Sequence, residues 1–238
     1  MFKAFHPEKD ILINDKEYIE FTLERGYQIV KDAPKARCPI CNQEMNLIAG
    51  KNKDNGHFRH RENSCCPTIE INNERYLYLF RGDRNDEVQI ENKDFTKRNI
   101  RNIYSKVKEI TPFLDYQEFM EILKEARRIN IYGYAKLNPA YLPYIFVTLI
   151  NFLPNKSYKK QRKLKFIFFY KSGINSIDEL WINRGDLSKL FRISYQNNTA
   201  KKITPQKKIT RININTDYLN ENNEFLTDKQ IEYLNKFI

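Results

Sequence analysis

Glycine is scarce in this chain. Seven residues in 238 leave no GxGxxG and no GxxxxGKS/T, so neither glycine-rich phosphate cradle can be built and nucleotide chemistry of those two kinds is excluded. Histidine numbers only three, and His6 is the only one outside residues 57–60, which removes Ser-His-Asp and Cys-His nucleophilic arrangements. Long hydrophobic runs are missing as well. The longest mainly apolar run, Tyr141 to Leu153, is interrupted by Pro143 and falls short of the roughly 20 residues a membrane span needs. The opening Met1-Phe2-Lys3-Ala4-Phe5-His6-Pro7 has no apolar stretch ending in a small-residue cleavage site, so a cytoplasmic protein without a secretory leader or membrane partner is expected.

What is present describes a folded, basic protein. A hydrophobic fraction of 41% with 13% aromatics is too apolar for a disordered chain. The length supports one or two domains without disulfide staples. Lys and Arg number 41 against 30 Asp and Glu, a net charge of +11. An AT-rich genome accounts for part of that excess, since Lys, Asn and Ile are abundant together. The remainder favours polyanionic partners, because basic surface attracts phosphates through counterion release.

All four cysteines fall in one window, Cys38, Cys41, Cys65 and Cys66, together with His57 and His60. In a chain without a leader such clustering argues for a metal, and for zinc in particular, rather than disulfides. Cys38-Pro39-Ile40-Cys41 has knuckle spacing: two thiolates separated by two residues cover half of a tetrahedron. A redox CxxC would need a βαβ setting that these flanks lack. Glu44 to Ile48 is strand-like and Asp54-Asn55-Gly56 is a turn signal, so a β-hairpin is predicted between the two ligand pairs. Alternation along the returning strand separates His57 from His60 and puts Phe58 and His60 on one face. His60 and Cys66 are therefore expected to complete the site, with His57 and Cys65 as alternates. Four protein ligands would make the zinc structural, since a catalytic zinc keeps one position for water.

The CPIC knuckle, a hairpin of this length, His57-Phe58-Arg59-His60 and Cys66-Pro67 together resemble the amino-terminal zinc module of competence CoiA-like proteins and related bacterial families. The resemblance covers about residues 15–70. In that family the module precedes a restriction-endonuclease-like domain, which implies action on DNA in bacterial or phage DNA handling, defence or counter-defence. The Glu-Ser pair and following His of its nuclease members have no counterpart between Pro67 and Asn92.

The rest of the chain reads as α+β, with a β-hairpin zinc module, a helical middle and a small mixed carboxy-terminal part. Boundaries are expected near residues 1–80, 81–154 and 155–238. Ile11/Ile13 and Ile19/Phe21/Leu23 alternate, predicting short strands beside the metal with those residues in the core. Ile100, Ile103, Tyr104, Val107 and Ile110 recur at helical spacing before Pro112, and Phe119, Ile122, Leu123 and Ala126 do so after an N-cap at Asp115. A third helix is predicted from Pro139 or Tyr141 to Phe152, its aromatic stripe facing the core. Phe166 to Tyr170 reads as a buried strand, and Ile209, Ile212 and Ile214 as another. Trp181 is expected in the core. Thr227-Asp228-Lys229-Gln230 opens a terminal amphipathic helix with a capping box.

Zinc-supported nucleic-acid binding is the expected function, DNA ahead of RNA or a protein–nucleic-acid complex, with oligomeric state open. Arg59 and Arg61 would meet phosphate beside the metal, and Lys159, Lys160, Arg162, Lys163 and Lys165 would extend the track. A second basic run, Lys201 to Lys208 with Arg211, precedes the last strand. Two alternatives follow from other residues. A metal-dependent nuclease would use Asp83 or Asp86 with Glu91-Asn92-Lys93 at a strand end after Val88 and Ile90, holding magnesium as PD-(D/E)xK enzymes do, or an HNH-like arrangement of His57 with Asn55 or Asn63. A non-catalytic adaptor or inhibitor would present the basic face to an acidic protein.

Overall fold

The computed structural model describes residues 1–48, 56–69, 82–182, 189–196 and 206–238. Asp54 and Asn55 of the turn signal, the aromatic stretch from residue 70 to 80, and Lys201 and Lys202 lie outside the described residues. The fold is α+β. The chain divides into two compact units: Met1–Glu74 with Phe169–Ser172 and Ile193–Thr210, and Arg75–Phe168 with Gly173–Arg192 and Arg211–Ile238.

In the first unit, β1 (Ala4–Phe5) and β2 (Leu12–Ile13) precede α1 (Asp15–Glu24), followed by β3 (Ala36–Arg37), β4 (Glu44–Ile48) and β5 (His57–His60). The strands form one antiparallel sheet in the order β2-β1-β3-β4-β5. Met1 exchanges two backbone hydrogen bonds of 2.7 Å with Phe58 on β5, which curls this short-stranded sheet into a half-barrel. Ala4, Ala36, Met45 and Phe58 are buried on one face of it, and Phe5 is buried on the other, under Arg37.

The stretch from residue 15 to 24 is a helix, not the strand that its alternating Ile19, Phe21 and Leu23 predict. Asn14 accepts from the Glu17 N–H at 3.0 Å while the Glu17 carboxylate takes the Asn14 N–H at 2.6 Å, a reciprocal cap that starts a helix. Only Phe21 of the three is buried, Ile19 and Leu23 being exposed, as is Ile11. The helix lays Tyr18 edge-on against Phe58, with ring centres 5.7 Å apart.

The second unit begins with α2 (Asp86–Arg98), α3 (Ile100–Ile110), α4 (Tyr116–Arg128) and the short α5 (Leu142–Phe146). Asp115 caps α4 as its sequence requires, and α3 buries Ile100, Ile103, Tyr104, Val107 and Ile110. The third predicted helix is shorter than its periodicity suggests. Both the N–H and the hydroxyl of Thr148 fall on the Ile145 carbonyl, so the chain tightens into turns, and Phe152 instead bridges Phe166. The aromatic stripe is nonetheless core, with Tyr144, Ile145 and Phe152 buried. Trp181 is half-buried, its ring 5.3 Å from that of Tyr141.

Three further strands, β6 (Lys165–Tyr170), β7 (Leu190–Gln196) and β8 (Gln206–Ile212), form a second sheet in that order, and α6 (Asp228–Asn235) carries the expected Thr227 capping box. Among the described residues no helix is long and apolar enough to cross a membrane.

Candidate metal centre

The knuckle is a tight turn. Cys38 N–H donates to the Gln43 carbonyl at 2.9 Å and Asn42 N–H to the Cys38 carbonyl at 2.8 Å. Asn42 takes a φ of 60°, a left-handed backbone that asparagine tolerates better than most residues. This turn leaves β3 and enters β4, which pairs with β5 in the register Met45↔His60, Asn46↔Arg59, Leu47↔Phe58 and Ile48↔His57. The predicted hairpin is thus present, and alternation along β5 turns Phe58 inward and His60 toward the knuckle. The loop after β5 supplies the last donor.

The Cys38, Cys41 and Cys66 sulfurs and a His60 ring nitrogen all lie within 4.8 Å of one another and could hold a metal ion. Cys38 Sγ is 3.8 Å from Cys66 Sγ, and Cys41 Sγ is 3.4 Å from His60 Nε2. Tetrahedral zinc with Zn–S near 2.3 Å and Zn–N near 2.05 Å has edges of about 3.8 Å between sulfurs and about 3.6 Å between sulfur and nitrogen. The donor set therefore suits zinc in chemistry, and these two contacts match tetrahedral edges. All four cysteines are free, and the Cys38–Cys66 separation is far beyond the roughly 2.05 Å of a disulfide. Among the described residues, His57 and Cys65 stand outside the cluster; Cys65 is exposed.

Neighbouring groups fix the donors. Ile40 N–H approaches Cys38 Sγ at 3.4 Å, and the Thr68 hydroxyl lies 3.2 Å from Cys66 Sγ. The Thr68 carbonyl in turn accepts from Tyr195 Oη at 3.0 Å and Lys207 Nζ at 2.7 Å. Such outer contacts orient ligands around a metal. No sequence pattern marks Thr68, Tyr195 or Lys207 for this role, because the three meet only in the folded unit.

The metal-free cluster has an uneven proton distribution. Burial and the two neighbouring sulfurs push the Cys38 thiol well above its ordinary value. The hydrogen bond with Cys38 favours the Cys41 thiolate, but the Cys66 sulfur and burial outweigh it and carry Cys41 up to about 11. Hydrogen bonds from Cys38 and Cys41 hold the Cys66 thiol below its ordinary value. A dication entering at neutral pH must then expel thiol protons, so affinity rises with pH and falls on acidification. Titration calorimetry in buffers of different ionisation enthalpy should report net proton release on zinc binding at pH 7. A buffer-independent heat would contradict the assignment.

The remaining candidates are dispersed. Arg59 is exposed on β5, and Arg61 is exposed but paired with Glu44 at 2.9 Å. Lys159, Lys160 and Lys163 are exposed, and Lys165 is half-buried at the start of β6. Arg162 is a correction: it is 1% exposed and grips the Glu118 carboxylate with both terminal nitrogens, so it serves the core and not a phosphate track. The strand end around Val88 to Lys93 is also a correction. Asn85 caps α2 there, and two residues apart on a helix Glu91 and Lys93 point to nearly opposite sides rather than toward a shared magnesium. Asp83 lies exposed just before that helix. In comparisons with known proteins, no family model, no curated protein and no solved structure matches the chain.

Proposed function

We propose that the protein is a nucleic-acid-binding protein whose amino-terminal unit is ordered by a structural zinc. The observation that carries the metal half is the Cys38, Cys41, His60 and Cys66 tetrad, whose donor atoms lie within 4.8 Å of one another, with two of their contacts at the length of a zinc tetrahedron's edge. With four protein donors no coordination position is left for water, and the ion acts on folding rather than on a substrate. Support for the nucleic-acid half is the +11 net charge together with exposed Arg59, Lys159, Lys160 and Lys163. The resemblance of the zinc segment to the CoiA-like module adds DNA handling, defence or counter-defence in a bacterium or phage as the setting.

The test is fluorescence anisotropy with labelled 20-mers at 50 and 200 mM salt. Neutralising roughly four phosphates should weaken duplex binding about 100-fold between the two conditions. Strand cleavage in magnesium or manganese that disappears in Glu91→Ala would replace this reading with a nuclease. Neither binding nor cleavage would leave the adaptor.

A further inference from the structure

Among the described residues, six that are not glycine have a positive φ: Asn42, Asn63, Phe113, Asn130, Lys159 and Lys160. Three are asparagines, which bear a left-handed backbone well. The other three, Phe113 at 58°, Lys159 at 47° and Lys160 at 54°, lie at one place, because Tyr158 N–H donates to the Phe113 carbonyl at 3.0 Å. Phenylalanine and lysine are poor choices for such backbone, and strain of this kind persists only where surrounding structure enforces it. Here the enforcing group is Arg162, beneath the two loops, which is bonded to Glu118 and to the Leu153 carbonyl and reaches toward those of Pro112 and Phe113.

The strained loops do not bury their side chains. Phe113 is 47% exposed and Tyr158 48%, with Lys159 Nζ 5.2 Å from the Tyr158 ring centre. Lys160 and Lys163 are exposed beside them in sequence. Next to these loops is a polar depression of about 400 Å³, with Lys156, Lys159 and Lys160 on one side and Asp115, Gln117 and Glu121 on the other. The nearby carboxylates already have partners: Glu121 holds Lys156 at 3.0 Å, Glu118 holds Arg162, and Asp115 takes the Gln117 N–H. Among the described residues no carboxylate pairs with Lys159, Lys160 or Lys163.

We propose that these two loops bind single-stranded nucleic acid, with Phe113 and Tyr158 stacking unpaired bases and Lys159, Lys160 and Lys163 holding the adjoining phosphates. The inference rests on the nucleic-acid reading above and specifies its ligand. Exposed rings among cations suit a single strand, whose bases offer free faces, whereas a duplex keeps its bases stacked on one another. Non-glycine residues held in left-handed backbone cluster at ligand-binding sites, and Phe113, Lys159 and Lys160 are three of them at one place.

That same mismatch supplies clean variants. Phe113→Gly and the double change Lys159→Asn/Lys160→Asn relieve the backbone while removing a ring or two charges, and Tyr158→Ala and Tyr158→Phe separate ring from hydroxyl. Anisotropy of the full-length, metal-loaded chain with labelled dT20, U20 and a 20-base-pair duplex would be measured from 50 to 300 mM salt, with thermal unfolding of each variant alongside. A single strand should bind more tightly than the duplex, and the dT20 and U20 arms tell DNA from RNA. Tyr158→Ala and Phe113→Gly should each weaken single-strand binding about 5- to 100-fold, with Tyr158→Phe retaining it. Lys159→Asn/Lys160→Asn should reduce the salt slope by about 1.4 without lowering the Tm. Unchanged affinity in both ring variants, a preference for duplex, or a lowered Tm in the lysine double variant would overturn this site while leaving nucleic-acid binding in place. No binding to any of the three probes at 50 mM salt would overturn both.

Discussion

Cys38→Ser is expected to abolish metal retention and to unfold the amino-terminal unit. The side chain is fully buried and its sulfur is one corner of the tetrad. Two-residue strands such as β1, β2 and β3 bring few ladder hydrogen bonds, so an ion held by the tetrad would be the principal cross-link between the knuckle, β5 and the loop beyond it. Structural zinc contributes on the order of 10–16 kcal/mol at neutral pH in small zinc domains, as much as the whole stability of an ordinary domain. Elemental analysis should fall from about one zinc per chain to nearly none, and amides of β4 and β5 should lose their protection in hydrogen exchange. Cys65→Ser and His57→Ala, which change residues of the same window outside the tetrad, should keep both zinc and protection. Equal loss in those two controls would refute the ligand set.

Glu118→Ala should be the most damaging single change in the second unit. It strands the Arg162 guanidinium, 1% exposed, without its counter-charge, a defect that costs about 3–5 kcal/mol. At about 2–4 °C per kcal/mol for a chain of this size, the Tm of that transition should fall by roughly 6–20 °C. The pair itself is not a source of net stability. Burial pushes the Glu118 carboxyl above its ordinary value, outweighing the opposing pull of Arg162, so the ionised form is held there at a cost. Because the folded value exceeds the unfolded one, Glu118 contributes stability that is complete below the unfolded value and lost as pH rises through the folded one. Replacing both partners with apolar residues, Glu118→Leu with Arg162→Met, should therefore destabilise far less than Glu118→Ala alone, as read by thermal or denaturant unfolding. A double variant as weak as the single one would show that the charges are stabilising after all.

Local signals carried much of this architecture. Cys38 and Cys41 declare themselves by spacing, and the choice of His60 over His57 follows from strand alternation, which fixes which histidine faces the knuckle; alternation does not decide between Cys65 and Cys66, which lie in the loop beyond β5. The helices α4 and α6 follow from apolar periodicity joined to good caps, and α3 from its periodicity alone. Where reading by local pattern failed, a second local signal or a distant partner decided the outcome. Three apolar residues at every second position suggest a strand at Ile19 to Leu23, but Asn14 and Glu17 cap a helix there. The spacing of Val88 and Ile90 suggests a strand end, but Asn85 starts α2. Arg162 looks like one more cation in a basic run, and its burial depends on Glu118, 44 residues earlier in the chain. Exposed rings at Phe113 and Tyr158 were equally hidden, since their partnership comes from one backbone hydrogen bond between two loops.

The clamp on the Thr68 carbonyl has a consequence for the order of synthesis. Its two donors, Tyr195 and Lys207, follow Thr68 by 127 and 139 residues, while all four metal donors are complete by Cys66. At about 5–20 residues per second, translation needs on the order of ten seconds or more to deliver them. A nascent chain with an ion at the tetrad would therefore load it while the last donor's loop is still untethered, and the lock would close only when the final strands arrive.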